Sequence, residues 1–293
     1  MGRPDFIIIG AMKCATSSLH AQLATQAGIC MSEPKEPNFF GDDDTYGRGL
    51  AWYESLFDSV PQGWLCGESS THYSKRDEYP RACERLHRHD PELRLVYVMR
   101  HPVARLVSHY RHAWTEGTIR KPIDQAVLEH PALTLQSCYA WQLAPYLQRF
   151  GPDRILPVFF ERLSRWPQAE LERVARHVGA EARVFWHEDL GTFNRSADRR
   201  RRDPVLETIR RVPGARSVAR RLPRPIVRRI ESRWKSHEAP SLSPEVAERL
   251  HRIFDRDLER LGRWLGASLD CRGYDAAVLS RPLGWSNAAL EAA

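Results

Sequence analysis

Phe6-Ile-Ile-Ile-Gly-Ala-Met-Lys-Cys-Ala-Thr-Ser-Ser-Leu-His20 is the stretch on which the reading of this chain turns. Phe6 to Ile9 are apolar and mostly β-branched, the pattern of a fully buried strand. Gly10 breaks that strand, a loop of small residues follows, and Thr16, Ser17 and Ser18 stand where a helix should start. The first N–H groups of a helix have no intrahelical acceptor, and the helix dipole adds positive potential there. A strand feeding such a helix start through a small-residue loop therefore makes an anion cradle. Lys13 adds a full charge, Cys14 and Ala15 complete the loop, and three consecutive hydroxyls add donors. The bland alternative is an ordinary strand–turn–helix with a surface lysine. The loop is not a Walker A sequence, GxxxxGK[ST], because the lysine comes early and no second glycine precedes it.

Working outward, Gly28 to Met31 reads as a short second strand that runs into Ser32-Glu-Pro-Lys-Glu-Pro-Asn-Phe-Phe40. Two prolines make this an irregular loop, anchored by Phe39 and Phe40, with Lys35 and Glu36 as its polar residues. They could face the cradle or form a solvated pair. Asp42 to Asp44 reads as a solvated acidic turn rather than a Mg²⁺ site. Leu65 to Tyr73 is a strand end and turn rich in hydroxyls, where Glu68, Ser69, Ser70, Thr71 and His72 are candidates to face a ligand, with helix capping as the alternative. Residues 80–89 read as an amphipathic surface helix.

Leu93 to Met99 is the next strong strand, and it ends at Arg100-His-Pro102. Pro102 suits the first position of a helix, so this is a second strand–turn–helix of the same design. Arg105 and Ser108 lie on one side of that helix, and arginine is the fork-shaped donor that suits a terminal phosphate. Two such units in one open sheet place two anion sites along the carboxyl edge of neighbouring strands. A P-loop kinase needs an aspartate for metal at the end of the second strand; here an arginine stands instead. Helices are expected at about 122–129, 135–150 and 167–178, with a strand at 155–160 between the last two. Residues 194 to about 235 carry most of the excess positive charge. Residues 242–265 have a capped helical pattern.

The 293 residues include 42% hydrophobic residues and nine tryptophans, which fits a globular protein, and a net charge of +7, which fits an anionic ligand, nucleic acid or an acidic surface. Six cysteines are scattered without a CxxC pair, so neither zinc nor a disulfide framework is indicated. No apolar run is long enough to span a bilayer. The expectation is one soluble, cytoplasmic domain over residues 1–293, with the basic segment of about 194–240 inserted before the C-terminal helix.

These residues resemble the sulfotransferases that use 3′-phosphoadenosine 5′-phosphosulfate (PAPS), in their heparan-sulfate-type and bacterial branch. Lys13-Cys-Ala-Thr-Ser-Ser-Leu19 resembles the family's 5′-phosphosulfate loop K-x-G-T-[ST]-x-L, with Ala15 in place of the usual glycine. Arg100-His-Pro-Val-Ala-Arg-Leu-Val-Ser108 is similar to the 3′-phosphate element R-[DN]-P-x-x-R-x-x-S. Lys35 to Phe40 looks like the element that carries the catalytic glutamate. Gly67 to Tyr73 resembles GEKSPxY, with Ser69 and Thr71 standing for lysine and proline. The basic segment from Asn194 is similar to the loop that covers the nucleotide. The resemblance implies a P-loop-like three-layer α/β fold, a central mostly parallel sheet flanked by helices, and sulfuryl transfer to a hydroxyl or amine. PAPS would be the donor and PAP the product, without a metal. It implies Glu36 as general base, with His72 as a rival, and Lys13 as stabiliser of the leaving oxygen. Donor contacts would come from residues 14–18, Arg100, Ser108, Asn194, Ser196, Arg199 and Arg200. Lys35, Glu68, Ser69, Tyr73 and Tyr139 are candidates for a small-molecule, lipid or glycan acceptor. His20 reads as packed rather than catalytic, and His109 is another competing base. A Mg²⁺-dependent small-metabolite kinase and an arginine-rich nucleic-acid binder are the other classes. The latter lacks aromatic residues between Arg195 and Arg233 for base stacking.

Overall fold

The computed structural model describes residues 2–190 and 241–286. Five strands form one sheet: β1 (Phe6–Gly10), β2 (Ile29–Met31), β3 (Leu65–Ser69), β4 (Arg94–Met99) and β5 (Ile155–Phe159). Their order is β2-β3-β1-β4-β5, and every pairing is parallel. Parallel strands need crossover connections, and helices supply them. Through its first half the chain runs α1 (Thr16–Ala24), α2 (Asp43–Tyr46), α3 (Leu50–Ser55), α4 (Ala82–His89), α5 (Pro102–Thr115) and α6 (Ile123–Glu129). The remaining described helices are α7 (Pro131–Leu135), α8 (Tyr139–Phe150), α9 (Phe160–Arg165), α10 (Pro167–Val178), α11 (Pro244–Leu265) and α12 (Tyr274–Ser280). The expected α/β architecture, a parallel sheet flanked by helices, is the one observed.

Central position explains the composition of β1. Hydrogen-bonded on both edges and covered on both faces, Phe6 to Ile9 are wholly buried, each worth about 2 kcal/mol of apolar burial. At its end, a Cβ on Gly10 would fall 2.0 Å from Ser74 Oγ, at φ +154°, so only glycine fits. The register against β4 shifts at the same point.

Three elements differ from expectation. Residues 135–150 are not one helix: α8 begins at Tyr139, because the carboxylate of Asp257 on α11 accepts the N–H groups of Ala140 and Trp141 at 2.8 and 2.9 Å and so caps a new helix start. Phe160 leaves the strand and opens α9. Helix α4 is less of a surface element than its four basic residues suggest. Arg85 is buried, its Nη2 lies 2.5 Å from Asp43 Oδ1, and its guanidinium lies over the Tyr46 ring. Helix α11 starts as expected, with the Ser243 side chain accepting from Val246 N–H. No described helix is long and apolar enough to cross a membrane.

Candidate active site

The carboxyl edge of the sheet carries three loops, and each holds a candidate group. The first follows β1. Ala11 N–H donates to Val98 O at 2.8 Å, which ties the loop to β4, and Cys14 N–H closes back on Ala11 O at 3.2 Å. Lys13 and Ala15 have φ of 75° and 66°. Ala15 is the N-cap of α1 and cannot cap with its side chain; no acidic residue follows in the first turn. The helix start is thus left for an anion. Thr16 and Ser18 are buried there, while Lys13 and Ser17 are half-buried. Cys14 points inward, and burial pushes its thiol up to about 12, so it brings no charge. Its N–H is already bound, which leaves the cradle to its neighbours.

The second loop follows β4. Arg100 is half-buried, with its guanidinium 4.4 Å from the centre of the Phe160 ring. Its main chain is clamped by one hydroxyl: Tyr139 Oη donates to Arg100 O at 2.6 Å and accepts from Arg100 N–H at 3.2 Å. The same oxygen lies 3.9 Å from Cys14 Sγ. Tyr139 therefore joins the first loop to the second from inside the core. On α5, Arg105 and Ser108 are both buried. Arg105 Nε donates to Ser137 Oγ at 2.7 Å and Nη2 to Leu133 O at 3.0 Å, whereas Nη1 has no partner among the described residues.

The third loop lies between β2 and α2. Glu36 and Asn38 have φ of 60° and 54°, and together with Lys13 and Ala15 they are all the positive-φ non-glycine residues among those described. Such conformations cost of order 1–3 kcal/mol each and persist only where the surroundings impose them. Lys35 Nζ lies 2.5 Å from Glu36 Oε1, in a half-buried pair. His72 stacks on Tyr79 with ring centres 4.5 Å apart. Burial, then Lys75, holds its pKa below the ordinary histidine value, against the pull of Glu36, Glu78 and Asp42. His20 is lowered to about 4 by burial and then Lys35, with Glu36 opposing. His109 falls to about 2, through burial and then Arg105, Lys75, His112 and Lys13. All three imidazoles are neutral at pH 7, and the charges that act on them place Lys13, Lys35, Glu36 and Lys75 in one electrostatic neighbourhood.

Several sequence candidates turn inward instead. Tyr73 and Tyr139 are buried, and their hydroxyls are engaged within the protein, so neither lines a surface for an acceptor. Glu68 is wholly buried among the hydroxyls of Tyr53, Ser70 and Tyr73. Ser69 is buried as well, with its Oγ unpartnered among the described residues. For Glu68, Ser69 and Tyr73 the cause is common: the end of β3 and its turn pack under the Glu36 loop rather than beside it; Tyr139 is turned inward by its bonds to Arg100. Asn194, Ser196, Arg199 and Arg200 lie outside the described residues. Sequence reasoning passed over Lys75, whose side chain is only 12% exposed.

The described residues 50–184 match the model of the Sulfotransferase family. The human heparan sulfate glucosamine 3-O-sulfotransferase 6 is 31% identical over 184 residues, covering 60% of this chain and 52% of that protein. This chain is related to the sulfotransferases. The human heparan sulfate glucosamine 3-O-sulfotransferase 5 is 27% identical over 195 residues, covering 62% of this chain and 55% of that protein. The chain spans about half the length of these curated relatives. A sulfotransferase from Alicyclobacillus acidocaldarius superposes with a TM-score of 0.62 at 21% identity, covering 89% of this chain and 95% of that one. That likeness speaks for the fold. Arg100, Ser108, Glu68 and His72 lie within the family match, and Lys13 and Glu36 lie ahead of it. One expectation is overturned. The heparan sulfate sulfotransferase relatives are Golgi-luminal enzymes, so the cytoplasmic assignment does not stand. Scattered cysteines argue against a disulfide framework without naming a compartment.

Proposed function

We propose that this chain is a sulfotransferase that moves the sulfuryl group of PAPS to an acceptor hydroxyl or amine. The observation that carries the reading is the concentration of every described positive-φ non-glycine residue in two loops at the carboxyl edge, with Lys13 on one and Glu36 on the other. Backbone strain of this kind collects where a ligand is clamped. The fit of an adenosine bisphosphate is supported by the chain's own donors. The uncapped start of α1 and Lys13 suit the 5′ group, and Arg100 and Ser108 suit the 3′ phosphate. Arg105 Nη1 is an orphaned, buried donor beside that element.

When bound, the donor supplies an activated S–O bond whose leaving group is a phosphate. Glu36 takes the proton of the acceptor as the new S–O or S–N bond forms and the S–O bond to the phosphate breaks, and Lys13 with the first-turn N–H groups of α1 neutralises the charge that gathers on the leaving phosphate oxygen. Lys35, 2.5 Å from Glu36, orients the carboxylate until an acceptor displaces it. His72, neutral and near Glu36, is the second candidate base. The acceptor class follows the relatives' names, a glucosamine-containing glycan.

Turnover of Lys13→Ala and Glu36→Ala, followed by mass spectrometry of an oligosaccharide panel for the gain of one SO₃, tests the assignment. Each substitution is expected to lower kcat by about a hundredfold or more while circular dichroism stays unchanged. A wild-type rate in either variant would remove that residue from the mechanism.

A further inference from the structure

Glu68 has no ion-pair partner among the described residues, yet three hydroxyls converge on it. Ser70 Oγ donates to Oε1 at 2.5 Å and Tyr53 Oη donates to Oε2. Tyr73 Oη is the third donor. Two of these hydroxyls have a further bond in common. Ser70 Oγ accepts the N–H of Asn38 at 3.1 Å, and Tyr73 Oη accepts the N–H of Phe40 at 3.4 Å. Two residues before Asn38, Glu36 N–H donates to Ser69 O at 3.1 Å. The loop is thus held at residues 36, 38 and 40 by three acceptors, Ser69 O, Ser70 Oγ and Tyr73 Oη, from the end of β3 and its turn. A hydroxyl has one proton, and the carboxylate of Glu68 fixes where it goes. With their protons drawn to Glu68, Ser70 and Tyr73 present lone pairs to the loop.

We infer that Glu68 is a positioning residue for Glu36: it orients the Ser70 and Tyr73 hydroxyls so that they accept the loop's N–H groups and hold Glu36 in its positive-φ conformation. This rests on the sulfotransferase reading above, in which Glu36 is the base. It also accounts for a buried carboxylate that burial itself disfavours, pushing its pKa up to about 6. A carboxamide at the same place accepts through one oxygen only and turns its NH₂ toward the other hydroxyls, so one of the loop's acceptors is lost.

The test is Glu68→Gln, with Ser70→Ala as a second variant that deletes one hydroxyl and little volume. Three readouts are compared with wild type: kcat, the affinity for PAP by calorimetry, and amide hydrogen exchange in residues 33–40. Both variants are expected to lose at least tenfold in kcat with PAP affinity within twofold, and to speed exchange at Asn38 and Phe40. Misplacement of a reacting group by about 1 Å costs losses of that order and larger. An unchanged kcat and exchange pattern in both variants, or equal loss of kcat and PAP affinity, would overturn the inference. Faster exchange in a protein whose wild type neither binds PAP nor transfers sulfate would sustain the brace and sink the sulfotransferase reading.

Discussion

Ala15 shows how a single residue carries both family likeness and cost. The related motif has glycine here, and the reason is geometric: φ is 66° at this N-cap, a region where a Cβ crowds the following carbonyl by roughly 1–2 kcal/mol. Ala15→Gly relieves that crowding but widens the unfolded ensemble. The expected net gain is about 0.5–1 kcal/mol in chemical denaturation, with activity retained; a loss of stability would contradict the assigned backbone. His20 makes the opposite kind of statement. Its folded pKa, about 4, lies below its ordinary value of 6.5, so the folded state stays neutral while the unfolded chain takes up a proton. Stability from this group is present above pH 6.5 and is lost as the pH falls toward 4, by about 2–3 kcal/mol. Glu68 and Asp257, both raised to about 6, titrate in the opposite sense over the same range, so the bare pH profile mixes the two. The comparison that isolates His20 is the difference between His20→Gln and wild type. Thermal melts from pH 7 to 4 should show the variant gaining on wild type as acid is added, and a constant gap would refute the shift.

At the scale of elements, the two anion cradles are one mechanical unit. Asp257 on α11 caps α8, Tyr139 opens α8, and its hydroxyl grips the main chain of Arg100 while touching Cys14. Tyr139→Phe removes the grip and keeps the packing. PAP affinity is expected to fall about tenfold, matching the loss of roughly 1.4 kcal/mol for a buried hydrogen bond whose partner is left unsatisfied, with circular dichroism unchanged; undiminished affinity would show that Arg100 needs no such anchor. The elements themselves were legible in the sequence because their signals are local. An apolar β-branched run, a Gly break and a Pro at a first helical turn settled β1, α1, β4 and α5. The places that misled are those decided from afar. Nothing within residues 135–150 announces that Asp257, more than a hundred positions on, starts a helix at Tyr139. Nothing within 65–73 tells that Glu68 and Tyr73 turn under the Glu36 loop, since that depends on Tyr53 arriving from α3.

For the molecule as a whole, the sheet order β2-β3-β1-β4-β5 explains why motifs far apart in sequence meet. β1 lies between β3 and β4, so the loop after β1 is flanked on one side by the turn that braces Glu36 and on the other by Arg100. We propose that this edge holds one nucleotide by both of its anionic ends. Calorimetry of PAP against 5′-AMP, which lacks the 3′ phosphate, separates the two ends. Saturable PAP binding at least tenfold tighter than binding of 5′-AMP is expected, with the difference abolished by Arg100→Ala; no heat with PAP, or equal affinity for the two nucleotides, would contradict the proposal.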